Sequence, residues 1–255
     1  MIKIIGRLAI LSDFENIFVV GDLHGDFDVF EKIVEMFEDE IQRGKKICLM
    51  FLGDYADRGD FGVEIIEGVI SLRKKYPKNV VALKGNHEDY DDFGNPKFRP
   101  CDLIYEVVEK RGVWIDYFNN TLRDFFKSLP IASIYDKFLF VHGGISSKIK
   151  RIDDLISPTD AIEEDVLWSD PFDGFGEYPN PRGAGVLFGK DISEKVLKSL
   201  SVEKLIRSHQ PQKASNGILE EQEGRVITIN STRVYGKKPI VLEIDNEKIR
   251  PIYIL

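Results

Sequence analysis

The sequence predicts an α/β fold. Three observations carry that reading. Short β-branched runs alternate with amphipathic helical stretches over residues 17–87. Each of those runs ends in a glycine followed by polar residues. The later part of the chain returns to short apolar runs separated by turn residues, which reads as antiparallel β-structure.

Taken in order, residues 1–11 are apolar but short and are interrupted by Lys3 and Arg7, so a strand or packed arm is expected rather than a signal peptide. Residues 17–20 form a buried strand ending at Gly21. Residues 27–43 place Phe30, Ile33, Val34, Phe37 and Ile41 on one helical face, and Gly44 stops the helix. A second strand, 47–52, ends at Gly53-Asp54. A second helix, 62–76, ends at Pro77. The third strand, 80–83, ends at Lys84-Gly85-Asn86-His87. This alternation implies right-handed crossovers and a largely parallel first half. Ligands of such sheets sit beyond the carboxyl ends of the strands.

Residues 89–100 are polar and loop-like. Residues 103–109 and 122–127 are expected to be helical, and 131–134 and 138–141 to form a hairpin ending in His142-Gly143-Gly144. Residues 157–190 are rich in proline and glycine. The embedded Trp168, Phe172, Phe175 and Phe188 argue for an ordered, functional loop there. A helix near 194–200 leads to Leu205-Ile206 and then Arg207-Ser208-His209. Residues 225–229, 240–244 and 249–254 are expected as antiparallel strands, with a turn at Asp245-Asn246. No linker splits the chain, so one catalytic domain over 1–255 is expected. Little chain lies outside that body, and no regulatory tail is expected.

Composition excludes several classes. The 255 residues are 43% hydrophobic, enough for a sizeable core. The net charge of −8 argues against general nucleic-acid binding and against a polybasic membrane anchor. Two cysteines, Cys48 and Cys101, cannot build a disulfide framework. No apolar run approaches the roughly 18 residues of a membrane span. A cytoplasmic protein with no nucleic-acid or membrane partner is expected.

The chain has 4 histidines, and all of them lie at predicted strand ends: His24, His87, His142 and His209. Histidines that served only packing would scatter, so the concentration points to a common site. Aspartate and histidine together are ligands for divalent ions such as Mn²⁺, Fe²⁺ and Zn²⁺. Asp22 and His24 alternate, so both can face one ion. Asp54 has two oxygens and can bridge two ions. Two metals about 3.5–4 Å apart can clamp a phosphoryl group.

The ordered set Gly21-Asp22-Leu23-His24-Gly25, Gly53-Asp54-Tyr55-Ala56-Asp57-Arg58-Gly59, Gly85-Asn86-His87-Glu88, His142-Gly143-Gly144 and Arg207-Ser208-His209 resembles the phosphoprotein phosphatase family of serine/threonine protein phosphatases, within the calcineurin-like metallophosphoesterases. Residues 167–171 (Leu-Trp-Ser-Asp-Pro) and 182–189 resemble further segments of that family. The resemblance implies a central β-sandwich of two mixed sheets flanked by helices. It implies Asp22, His24 and Asp54 on a first metal, and Asp54, Asn86, His142 and His209 on a second. It implies His87 as general acid oriented by Asp57, with Arg58 and Arg182 on the phosphate oxygens. The implied activity is hydrolysis of phosphoserine and phosphothreonine in a protein substrate by direct attack of a metal-bound hydroxide. Manganese is the first choice of metal, with iron, zinc, cobalt or nickel as alternatives.

The chain departs from the family pattern at two places. Asp89-Tyr90 follows Glu88 where the family has serine and arginine, and Asn230-Ser231-Thr232-Arg233-Val234-Tyr235 replaces a Ser-Ala-Pro-Asn-Tyr-Cys loop. Asp89, Asp91 and Asp92 either favour basic substrates or form a solvated acidic loop. Two rivals remain open at this stage. One is a symmetrical dinucleoside-polyphosphate hydrolase or another broad phosphoesterase of the superfamily. The other is a non-enzymatic binding module that keeps the fold.

Overall fold

The computed structural model describes residues 1–245 and 248–254. Two mixed sheets pack face to face, with helices on both outer faces. One sheet has five strands, in the order Lys248–Tyr253, Ile240–Asp245, Asn16–Val20, Ile47–Phe51 and Val80–Ala82. The other has seven, in the order Ile2–Ile5, Leu8–Leu11, Ala132–Tyr135, Phe138–Val141, Lys204–Arg207, Val226–Ile229 and Ile218–Glu221.

Why the strands read as unbroken apolar runs is now clear: both of their faces are buried. Alternate residues point opposite ways along a strand. Ile17, Val19, Cys48 and Met50 fill the layer between the sheets, with Phe140, Ile206, Ile227 and Leu242. Phe18, Val20, Leu49 and Phe51 face outward, onto helices Phe27–Gln42 and Gly62–Lys75. A second outer layer joins Leu139, Val141, Leu205 and Val226 to helices Asp160–Trp168 and Lys190–Ser199.

The parallel strands Asn16–Val20, Ile47–Phe51 and Val80–Ala82 agree with the sequence reading, as do the two helices that connect them. The hairpin Ala132–Tyr135/Phe138–Val141 also agrees. Strands Phe138–Val141 and Lys204–Arg207 run parallel, so their carboxyl ends lie side by side.

The C-terminal half needs one correction. Residues 225–229 do not join 240–254 in an antiparallel unit. Val226–Ile229 belongs to the seven-stranded sheet, parallel to Lys204–Arg207 and antiparallel to Ile218–Glu221. Ile240–Asp245 instead pairs with Asn16–Val20, and its hairpin with Lys248–Tyr253 forms one edge of the other sheet. The expected turn at Asp245-Asn246 lies partly outside the described residues. Strand Ile218–Glu221 escaped the sequence reading because it is only half-buried and ends in two glutamates. The N-terminal segment is a hairpin, Ile2–Ile5 with Leu8–Leu11. The 157–190 stretch is ordered. It holds a helix capped by Thr159, whose hydroxyl accepts from Ile162 N at 3.3 Å, and a three-stranded ribbon.

One side chain joins the two sheets at the site edge. Ser231 Oγ accepts from Gly21 N at 2.8 Å and donates to Ile240 O at 2.6 Å, in a fully buried setting. Replacing it with alanine leaves a buried N–H and a buried carbonyl without that partner. Ser231→Ala is expected to lower unfolding stability by about 1–3 kcal/mol, read from denaturant midpoints at unchanged slope.

Candidate active site

Strand ends from both sheets converge on one cleft of about 610 Å³. His24, Asp54, Asn86, His87 and His209 line it, together with Arg58 and Arg182. Asp22, Asp57 and His142 lie directly behind these and are buried. All ten side chains singled out from the sequence are therefore in one place.

Tight backbone turns hold them there. His24, Asp54, Asp57, Arg58 and His209 all have positive φ, between 46° and 75°. Such backbone is costly for residues with a side chain, and it collects at functional sites. Gly53 has φ 107°, and a Cβ on it would overlap Gly85 N. The loops after the second and third strands can approach this closely only with glycine at that point.

Glu88 binds these loops together. Its carboxylate accepts from Asp54 N (2.8 Å), Tyr55 N (3.1 Å) and Gly85 N (2.8 Å). The Asp54 carbonyl accepts from Leu23 N and His24 N, both at 3.0 Å, which ties in the first loop. The sequence reading quoted Glu88 within its motif but assigned it no role. Its place beside Asn86 and His87 was the available signal.

The histidines are arranged as neutral donors of a ring-nitrogen lone pair. His24 Nδ1 donates to Ala56 O at 2.8 Å, which leaves Nε2 facing Asp54 Oδ2 at 3.5 Å and Asp22 Oδ2 at 3.7 Å. His142 Nδ1 donates to Leu52 O at 3.1 Å. Its Nε2 then lies 2.8 Å from Asn86 Oδ1, 3.1 Å from His209 Nδ1 and 3.4 Å from Asp54 Oδ1. Metal-bound histidines commonly fix their tautomer by giving the other N–H to a backbone carbonyl.

Burial lowers the pKa of His24 to about 3, and the charge of His87 adds to this. Burial likewise pushes His142 and His209 well below the usual imidazole value. The neutral ring is the form that ligates a metal. Asp54 is raised well above the carboxylate range, first by burial and then by the charges of Asp22 and Glu88.

This donor set fits divalent cations. Asp22 Oδ2 and His209 Nε2 are buried polar atoms without a hydrogen-bond partner. With its proton on Nδ1, His142 Nε2 is an acceptor 2.8 Å from another acceptor, Asn86 Oδ1. A shared cation removes that conflict. Among the described residues two groupings bring ligand atoms within 4.8 Å of one another, His24/Asp54/His87 and Asp54/His142/His209, and Asp54 is common to both. The sequence reading placed His87 outside the metal set, and its contacts explain how it differs. His87 Nδ1 lies 2.6 Å from Asp57 Oδ2. Burial opposes ionisation of Asp57, but the His87 contact and the N–H groups of Leu103 and Asp102 outweigh it and hold its pKa low. The ionised carboxylate keeps the ring proton on Nδ1 and leaves Nε2 free to carry another.

Arg58 and Arg182 are exposed at the mouth. Among the described residues Arg58 makes no ion pair with Asp57 or Asp60. Its charge instead acts on the Tyr235 hydroxyl, partly offsetting the rise in pKa that burial causes there. Arg182 Nε donates to Asp170 Oδ2 at 2.9 Å, while the other oxygen of Asp170 accepts from the fully buried Arg207 at 2.9 Å. A buried ion pair between Asp170 and Arg207 thus ties residues 167–171 to the Arg207-Ser208-His209 motif.

Contacts place both departing segments. Tyr235 reaches the cleft, with its ring edge-on to His24 at 5.8 Å. Arg233 holds its loop in place by pairing with Asp26, donating through Nε at 3.1 Å, and with Asp28 at 2.9 Å. The acidic run does not face the cleft. Asp89 pairs with Lys84 at 2.6 Å, Asp91 accepts from Phe93 N and Asn95 N, and Asp92 pairs with Lys127 at 2.6 Å.

Comparison with known proteins agrees with this geometry. Residues 15–213 match the calcineurin-like phosphoesterase family model. A PP2A-like serine/threonine-protein phosphatase of Candida albicans is 32% identical over 92% of this chain and 57% of its own length. A serine/threonine-protein phosphatase of Caenorhabditis elegans is 33% identical over 75% of this chain and 42% of its own. The chain therefore spans about half the length of these curated relatives. A solved protein serine/threonine phosphatase from Saccharomyces cerevisiae, described as similar to human phosphatase PP5, is 27% identical with a TM-score of 0.77, covering 94% of this chain and 80% of that one.

Metal addition to the chelated protein is expected to stabilise it. At a free Mn²⁺ level about 100 times its Kd, the gain is about 2.7 kcal/mol, a rise of roughly 5–10 °C in thermal midpoint. Asp54→Asn should lose most of that rise. No shift with any divalent ion would refute the metal-centre reading.

Proposed function

The chain belongs to the calcineurin-like phosphoesterase family, and on that premise we propose that it is a metal-dependent protein phosphatase acting on phosphoserine and phosphothreonine. The observation that carries the proposal is the His87–Asp57 pair, 2.6 Å apart, with His87 at the edge of two ligand groupings that meet at Asp54. In this reading Asp22, His24 and Asp54 hold one divalent ion, and Asp54, Asn86, His142 and His209 hold the other. When bound, the ions supply charge neutralisation at the phosphate and activation of water. Manganese is the first choice, since nitrogen and oxygen donors without thiolate suit it; iron, zinc, cobalt and nickel are the alternatives.

The protein groups do the rest. Arg58 and Arg182 bind the non-bridging oxygens, where forked guanidinium geometry matches phosphate. The water oxygen bonds to phosphorus as the bond from phosphorus to the serine or threonine oxygen breaks, and the water's protons stay with the released phosphate until one returns to His87. That oxygen is a poor leaving group, so His87 passes it the Nε2 proton. Asp57 orients the ring and stabilises its protonated form. The whole of 1–255 serves as one catalytic unit. The free thiols of Cys48 and Cys101 support a reducing, cytoplasmic location.

The names of the relatives and the 27%-identical solved structure favour a protein substrate over a dinucleoside polyphosphate. The test measures phosphate release from a phosphothreonine peptide and from a dinucleoside tetraphosphate, with Mn²⁺, Co²⁺, Ni²⁺, Zn²⁺ and Mg²⁺ in turn. The peptide is expected to be the better substrate. His87→Asn, with metal content unchanged, is expected to lower kcat by about 10²–10⁴-fold. Near-normal turnover by that variant would end the acid assignment.

A further inference from the structure

The mouth of the cleft carries more positive charge than a single phosphoryl group requires. Arg58 and Arg182 are assigned to the phosphate, and Arg182 already has a protein partner in Asp170. Arg99 and Lys213 also line the cleft. Both are exposed, and among the described residues neither side chain has a hydrogen bond or an ion pair. Asp54 is the one carboxylate among the lining side chains, and the proposed metals take it up. A chain of net charge −8 has therefore kept its acids away from this rim and left two unpaired cations on it.

Their positions say which part of a substrate they would meet. Arg99 follows Phe98, a buried ring packed 4.5 Å from the ring of His87. Arg99 thus stands on the side where the leaving oxygen departs, and the peptide is attached to that oxygen. Lys213 ends a turn that starts one residue after His209. Its N–H donates to Gln210 O at 3.0 Å, and Gln210 is itself held by Arg207 at 2.9 Å. The two cations reach the cleft from different loops.

We propose that Arg99 and Lys213 form a specificity element that selects phosphorylated segments with further negative charge beside the phosphorylated residue. The inference rests on the protein phosphatase reading above and adds the substrate class. Because both cations are exposed, each is worth about the two- to five-fold of a solvent-accessible ion pair. The effect is local, since charges beyond roughly 8 Å are screened at physiological salt. It should therefore appear in KM rather than in kcat.

The experiment uses the Mn²⁺-loaded protein and three phosphothreonine peptides alike except for flanking glutamate, glutamine or lysine. The glutamate peptide is expected to have the lowest KM and the lysine peptide the highest. The gap between the glutamate and glutamine peptides should shrink by about two- to five-fold in Arg99→Gln and again in Lys213→Gln. It should also shrink in about 0.5 M salt. Equal KM values for the three peptides, or a gap that survives in the double variant, would overturn the inference while leaving the phosphatase reading intact. Failure to hydrolyse any of the peptides would defeat both.

Discussion

Four carboxylates, those of Asp22, Asp54, Asp57 and Glu88, are buried together where the strands end. Buried negative charge is expensive unless each oxygen finds a proton donor or a cation. The four meet this constraint in two ways. Glu88 and Asp57 are supplied by the chain itself, through backbone N–H groups and His87. They set the shape of the loops. Asp22 and Asp54 are only partly supplied, and one oxygen of Asp22 has no hydrogen-bond partner among the described residues. They are left for an external cation. The same loops thus contain a finished framework and an unfinished ligand shell, and the second depends on the first.

Much of this was legible in the sequence. Runs such as residues 47–51 had to be doubly buried, and the three- and four-residue spacing in 27–43 could only be a helix with one apolar face. The site was legible because its residues sit within a few positions of strand ends, so each local motif carried its own part. Pairings between distant segments were not legible. Nothing local to Val226–Ile229 says that its neighbour is Lys204–Arg207 rather than Ile240–Asp245, since each offers only a short apolar run. Asp26 and Arg233 look like surface charges until the fold brings them together.

Charge was the property most easily misjudged from sequence. The acidic run at 89–92 suggested a negative rim, yet each of its carboxylates is answered nearby by a lysine or by backbone N–H groups. The basic side chains at the rim come one at a time from separate loops, so no stretch of sequence announces them. Asp170 shows the same point in the interior. It answers Arg207, which is fully buried, and also steadies Arg182 at the surface. A contact that keeps the core neutral therefore also sets the aim of a side chain at the cleft.

Strand Asn16–Val20 sits between Ile47–Phe51 and Ile240–Asp245. The first neighbour is made soon after it during synthesis. The second is made only much later in the chain, pairing Leu242 with Val19. Contacts so distant in sequence are slow to form and leave a strand edge open meanwhile. The nascent chain must carry the early half of its site, including Asp22 and His24, on a sheet with an exposed edge. Maturation of the centre is thereby tied to the late arrival of Ile240–Asp245 beside Asn16–Val20.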